Sequence, residues 1–145
     1  MDVSIIYVNY RTSRLVIDSI NSVKEKTQGI LYEIIIVDNN SGDGSLAKIQ
    51  EIHPDVITIQ SEKNVGFGQA NNLGLKKADG KYIFFLNPDT LLRNNAIGEL
   101  FRFLELNMNV GACGGNLYDE EGNATTSFSR KYPSFLWELL GILYI

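Results

Sequence analysis

Leu86-Asn87-Pro88-Asp89-Thr90 closes the run Lys81-Tyr82-Ile83-Phe84-Phe85-Leu86, and the junction decides the fold. A buried strand that meets Asn-Pro-Asp cannot continue as a ladder, because proline has no N–H to donate. Asp89 is therefore delivered to the C-terminal end of a strand, the edge at which open α/β sheets bind ligands. An earlier run behaves alike: Glu33-Ile34-Ile35-Ile36-Val37 empties into Asp38-Asn39-Asn40-Ser41-Gly42-Asp43-Gly44-Ser45, again acid, amide and glycine. Two such edges on one sheet suit a nucleotide and a hard cation.

Outward from these junctions, strand-like and helix-like runs alternate as βαβαβαβα, the pattern of a mostly parallel, Rossmann-like sheet flanked by helices. The first strand is Val3-Ser4-Ile5-Ile6-Tyr7-Val8, apolar except for Ser4, as expected of a strand covered on both faces. Val16, Ile20 and Val23 recur at helical spacing. Strand two is 32–37, and Asp43 or Ser45 is placed to cap a short helix that runs through Glu51 and stops at Pro54. Val56-Ile57-Thr58-Ile59 is strand three, and Asn64-Val65-Gly66-Phe67-Gly68 opens a helix to about Ala78. Asp79-Gly80 turns the chain into strand four, and Ile97, Leu100, Phe101 and Leu104 mark the next helix. Val110-Gly111-Ala112-Cys113 reads as a fifth strand, with a buried thiol at Cys113. Beyond it, 116–119 and 124–128 flank a turn at 120–123. No repeat or linker interrupts the chain, so 1–145 is read as a single domain.

The 145 residues, 44% hydrophobic, suffice for one core. A net charge of −4 and a pI near 5.0 speak against a nucleic-acid partner and for an acidic site that recruits a divalent metal. One cysteine excludes an internal disulfide, and Met1-Asp2 leads into a strand rather than a secretory signal, so the chain reads as cytoplasmic. No apolar run reaches the roughly 18 residues that span a bilayer.

Each candidate residue has a plain structural alternative. Asp89 suits Mg²⁺ or Mn²⁺, which are held by one or two carboxylates plus substrate phosphates, or it caps its turn. Asp38 can accept from the N3–H of a pyrimidine, or form an Asx-turn with Asn40. The 64–74 segment places glycines where backbone N–H groups meet a phosphate, but Asn71 stands where a dinucleotide fingerprint needs glycine, and the segment follows the third strand, not the first. No Walker lysine is present, since Gly80-Lys81 leads into a strand. His53 sits beside Pro54, away from every strand edge, and the serines have no second base for a triad. Arg130-Lys131 can meet a diphosphate or an anionic headgroup, or simply be solvated.

Four ordered motifs carry a resemblance: residues 3–10, 36–45, 64–68 with 72–74, and 85–90. Together they resemble family 2 glycosyltransferases, in particular the rhamnosyltransferase-like branch, over Val3 to about Pro133. The resemblance implies a GT-A fold and an inverting transfer of a sugar from a UDP- or dTDP-linked donor to a glycan or lipid-linked acceptor, with Mg²⁺ or Mn²⁺. It implies that Tyr7 and Asn9 line the base pocket, that Asp38 binds the pyrimidine, and that Asn64, Gly66 and Asn72 shape the ribose and diphosphate region. Asn87 and Asp89 fall on the first and last positions of the family's Asp-x-Asp motif, so Asp89 keeps the metal and Asn87 offers an amide to the ribose. Gly114-Gly115-Asn116 would lie near donor sugar and acceptor.

The acidic motif that supplies the family's general base normally comes after Ile145. The resemblance thus implies a C-terminally truncated chain, with Asp119, Glu120 and Glu121 as weak substitutes. The apolar segment 133–145 then predicts a homodimer or contact with the inner face of a membrane. A truncated module that binds the nucleotide sugar without transferring it is the first rival. A nucleotidyltransferase is the second, disfavoured because Asn9-Tyr10-Arg11-Thr12 has no glycine.

Overall fold

Seven consecutive residues of β1, Val3–Asn9, are buried, so this strand has protein on both faces and both edges. It is the axis of a four-stranded parallel sheet in a computed structural model that describes residues 1–119 and 121–125. On one side β1 pairs with β2, Tyr32–Asp38, and β2 with β3, Ile57–Gln60. On the other it pairs with β4, Tyr82–Phe85, over Val3 to Ile6, which gives the order β3-β2-β1-β4. The chain thus steps outward from β1 to β3 and then crosses back past β1. Such a reversal opens a crevice at the strand C-termini.

Alternation along the strands assigns the two faces. Ile5, Tyr7, Ile34 and Ile36 pack with Val16, Ile20 and Val23 of α1, Ser13–Lys26, with Ile49 of α2, Ser45–Ile52, and with Ile97. The opposite face carries Val8, Val37 and Ala70, the last from α3, Phe67–Leu75. Gly74 of α3 is the point of closest approach, where a Cβ would stand 2.6 Å from Cγ2 of Ile6. The fourth helix, α4, is Ala96–Leu106.

Two expectations are corrected. Residues 110–113 form no strand, and the Cys113 thiol is exposed, because the turn at 107–110 leads into a segment that finds no partner edge among the described residues. Gly44, rather than Asp43 or Ser45, is the N-cap of α2, although the Asp43 carboxylate accepts the Ser45 backbone N–H at 2.9 Å.

The chain divides into two compact units, Met1–Cys113 and Gly114–Ile145. In the second, β5, Leu117–Tyr118, pairs antiparallel with β6, Ala124–Thr125. Glu120, Arg130-Lys131 and the apolar 133–145 segment lie outside the described residues, as does the far end of the expected hairpin. Among the described residues, no helix is long and apolar enough to cross a membrane.

Candidate functional site

Parallel register puts Asn9, Asp38 and Gln60 side by side at the C-terminal ends of β1, β2 and β3. The carboxylate of Asp38 is the hub of this row. Its Oδ1 accepts from Asn9 Nδ2 at 2.6 Å and from Ser41 Oγ at 2.5 Å. Its Oδ2 accepts from the Ser41 backbone N–H at 3.0 Å and from Gln60 Nε2 at 2.9 Å. Burial alone would push the Asp38 pKa up, but the donors of Ser41, Gln60 and Asn9 outweigh it, and the carboxyl is held below the ordinary aspartate value. It is charged at neutral pH.

Asp38 lines a cleft of about 560 Å³ with Asn40, Asp43, Gln50, Gln60 and Glu62. A second cleft, about 280 Å³, opens over β1 between Tyr10, Thr12, Asn39, Asn64, Gly66, Phe67 and Pro88. The loops between these clefts are stitched together. Arg11 N–H donates to Ser41 Oγ at 2.9 Å, and its Nε donates to the Ser41 carbonyl. Asn39 Nδ2 donates to Asn64 Oδ1, and the Val65 N–H returns a bond to Asn39 Oδ1, both at 2.9 Å. Gly66, the N-cap of α3 at φ +81°, donates its N–H to Asn64 Oδ1 at 3.0 Å; a side chain at that φ would be strained. Arg11 and Asn40 also adopt positive φ without being glycine, so backbone strain is concentrated where β1 and β2 release the chain.

Asp89 lies on the same rim, since β4 runs parallel to β1. It is exposed, in a turn closed by Thr90 N–H on the Asn87 carbonyl at 3.1 Å. That turn is anchored from below: Ser19 Oγ donates to the Thr90 carbonyl at 2.6 Å, and Ser22 Oγ accepts from the Leu92 N–H. Asp38 and Asp89 therefore share the sheet's C-terminal edge with β1 between them. Asp38 itself lines the larger cleft, while Pro88, beside Asp89, lines the smaller.

Two base-pocket expectations are corrected by burial. Tyr7 has no exposed surface and points into the core, where its hydroxyl meets Ser19 Oγ at 2.9 Å and burial drives its pKa upward. With the Ser19 proton on Thr90, Tyr7 is the donor. Asn9 is equally buried, its Nδ2 on Asp38 and Ser41 and its Oδ1 accepting from Thr12 N and Oγ1. It orients Asp38 and has no surface left for a ligand. Asn64 and Gly66 line the smaller cleft, whereas exposed Asn72 and Asn87 line neither cleft.

Sequence reasoning does not single out Tyr10, Phe67, Asn39 or Gln60. Tyr10 is 43% exposed and Phe67 57%, both beside the smaller cleft, and the Arg11 guanidinium lies 5.4 Å from the Tyr10 ring centre. The signal for Tyr10 is its position just past a strand end, where a large aromatic has no core to enter. Gln60 carries no such signal. His53 caps the C-terminal end of α2 and is buried, with burial and then Lys24 lowering its pKa, remote from the strand tips. The Asp119 carboxylate accepts from the Asn123 backbone and side chain, which lowers its pKa, the wrong direction for a general base. Gly114, Gly115 and Asn116 are exposed in the second unit.

The family model of glycosyl transferase family 2 matches residues 4–143. The chain belongs to this family. It is 32% identical over 114 residues to an uncharacterized glycosyltransferase of Nostoc sp. strain PCC 7120, an overlap of 77% of this chain and 35% of the relative. It is 30% identical over 112 residues to the minor teichoic acid biosynthesis protein GgaB of Bacillus subtilis, covering 74% of this chain and 12% of that protein. The family 2 chain thus spans about a third of one relative's length and about an eighth of the other's. Among solved structures, S. aureus TarS 1–349 in complex with UDP superposes with a TM-score of 0.67 at 21% identity, covering 74% of this chain and 33% of that TarS 1–349 chain. The mannosyltransferase PcManGT of Pyrobaculum calidifontis, in complex with GDP-Man and Mn²⁺, gives 0.63 at 22% identity, over 70% of this chain and 32% of its own. These likenesses establish the α/β GT-A fold.

Proposed function

We propose that this family 2 chain is the donor-binding part of a glycosyltransferase that moves a sugar, with inversion, from a UDP- or dTDP-linked donor to a glycan or lipid-linked acceptor in surface polysaccharide synthesis. We place it in the rhamnosyltransferase-like branch, at the cytoplasmic face of a membrane. The observation that carries this reading is the charged, fully hydrogen-bonded Asp38 at a strand tip, on the same rim as the exposed Asp89.

Physical chemistry assigns the parts. Asp38 is an acceptor for an imide N–H of the base, and the exposed Tyr10 ring, one residue beyond Asn9, offers a stacking face. The first turn of α3, beginning at Phe67 beside the smaller cleft, presents backbone N–H groups suited to a diphosphate, whereas the Val65 and Gly66 N–H groups are already held by Asn39 and Asn64. Among the described residues no three His, Cys, Asp or Glu side chains gather as a metal cluster. One exposed carboxylate and a neighbouring amide, Asp89 and Asn87, nevertheless match the way Mg²⁺ or Mn²⁺ is held when substrate phosphates complete its shell. Asp89 and Asn87 would hold such a cation, which would supply stabilisation of the negative charge that develops on a departing diphosphate. The anchoring of Thr90 and Leu92 keeps Asp89 and Asn87 in place.

Titration calorimetry with UDP, dTDP and GDP, each with and without Mn²⁺, tests the reading. Metal-dependent binding with a preference for the pyrimidine diphosphates is expected, and no binding of any of them overturns it. Transfer of a labelled sugar separates an enzyme from a module that only binds. Binding without transfer favours the module, because no described carboxylate is placed as the base.

A further inference from the structure

An ionised carboxylate offers about four lone-pair positions, and Asp38 has all four filled. Two residues supply three of the donors, and both are fixed in the interior: Asn9 has no exposed surface and Ser41 only 2%. The fourth donor is different. Gln60 is exposed, at the last residue of β3, and its Nε2 reaches Asp38 Oδ2 at 2.9 Å while also donating to the Ser61 carbonyl at 3.2 Å. Gln60 and Asp38 line the same cleft. A ligand donor can reach Asp38 only by displacing one of the four. Three displacements would strand buried groups or tear the β1 and β2 loops apart, and the fourth merely turns an exposed side chain into water.

We infer that Gln60 is an internal stand-in for the nucleotide base, its carboxamide N–H occupying the position on Asp38 that the ring imide N–H of a uracil or thymine takes on binding. The chemistry of the two donors matches: each is an N–H next to a carbonyl, presented to the same carboxylate oxygen. The inference rests on the donor-site reading given above and adds to it a residue that sets base affinity and selectivity. Gln60 keeps Asp38 satisfied while the cleft is empty. A base that brings no N–H in that position leaves Gln60 on Asp38 and gains nothing there. Gln60 therefore lowers the affinity for an imide-bearing base, and narrows its margin over a base without that proton, by the cost of its own displacement.

The test is calorimetric binding of UDP and of 3-methyluridine diphosphate, which lacks the imide proton, to the full chain and to Gln60→Ala, with Mn²⁺ present. Gln60 is exposed, so the variant is expected to keep the fold, checked by its melting temperature. Removing the competing donor should tighten UDP by about fivefold, the range of one modest hydrogen bond, and leave the methylated ligand unchanged. Unchanged or weaker UDP binding by Gln60→Ala, with the wild-type chain still binding UDP, overturns the stand-in role and leaves the donor-site reading standing. An equal gain for both ligands also overturns it, because the imide proton then plays no part. Failure of the wild-type chain to bind UDP at all overturns both. Gln60→Leu, which keeps the bulk and removes the donor, should behave as Gln60→Ala does; if only the alanine variant gains, relief of crowding rather than a freed acceptor is the cause and the proposal falls.

Discussion

Asp38 and its donors make a stability device as well as a binding group. Its folded-state pKa is lowered, so the stability it contributes is fully present above the ordinary aspartate value of about 3.9 and is lost as pH falls through the lowered folded value. Asp38→Asn turns one acceptor into a donor facing Asn9 or Ser41 N–H groups. Urea unfolding at pH 7 should show a loss of about 1–3 kcal/mol, and the gap to wild type should narrow below about pH 4. The two tyrosines of the first strand region separate core from site. Tyr7→Phe should cost about 1 kcal/mol of stability through the lost bond to Ser19 and leave UDP affinity unchanged. Tyr10→Ala should leave stability within about 0.5 kcal/mol and weaken UDP roughly tenfold, since only Tyr10 has a free face. Equal effects of the two on calorimetric affinity would contradict the assignment.

At the scale of elements, α3 is placed by the absence of a side chain. A Cβ added at Gly74 would stand only 2.6 Å from Cγ2 of Ile6, so a methyl group there forces α3 away from β1. Ile6 is 1% exposed and cannot yield. Gly74→Ala should therefore lower the unfolding free energy by about 1–3 kcal/mol, read from thermal or urea denaturation, despite alanine's better helix propensity. A gain in stability would show that the helix has room. Because α3 begins just after Gly66 beside the smaller cleft, the same substitution should also weaken diphosphate binding by shifting the first turn of α3. Element boundaries are less legible in the sequence than element types. β3 begins at Ile57 rather than Val56 and α3 ends at Leu75 rather than Ala78, since fraying ends depend on neighbours and not on local pattern. The missing strand at 110–113 shows the same limit: a short apolar run has no strand identity without a partner edge.

At the scale of the whole molecule, the strand order brings Asp89 to the rim that holds Asp38. Asp89→Ala should abolish most of the Mn²⁺-dependent part of UDP affinity and leave the metal-independent part and the melting temperature nearly unchanged, because an exposed turn carboxylate contributes little to the core. An unaltered metal dependence in calorimetry would remove Asp89 from the site.

The amino-acid sequence by itself determined that apolar runs stop at acid, amide, proline and glycine, and so that carboxylates stand at strand tips; this information is local, held within a few consecutive residues at 33–45 and 81–90. What each tip residue does was decided by tertiary structure. Whether Tyr7 or Tyr10 meets the cleft depends on which face of β1 the helix α1 covers, and whether Asp38 is open or saturated depends on groups 29 and 22 residues away along the chain. Parallel register brings those groups within hydrogen-bond reach, and no pattern within a single strand encodes it.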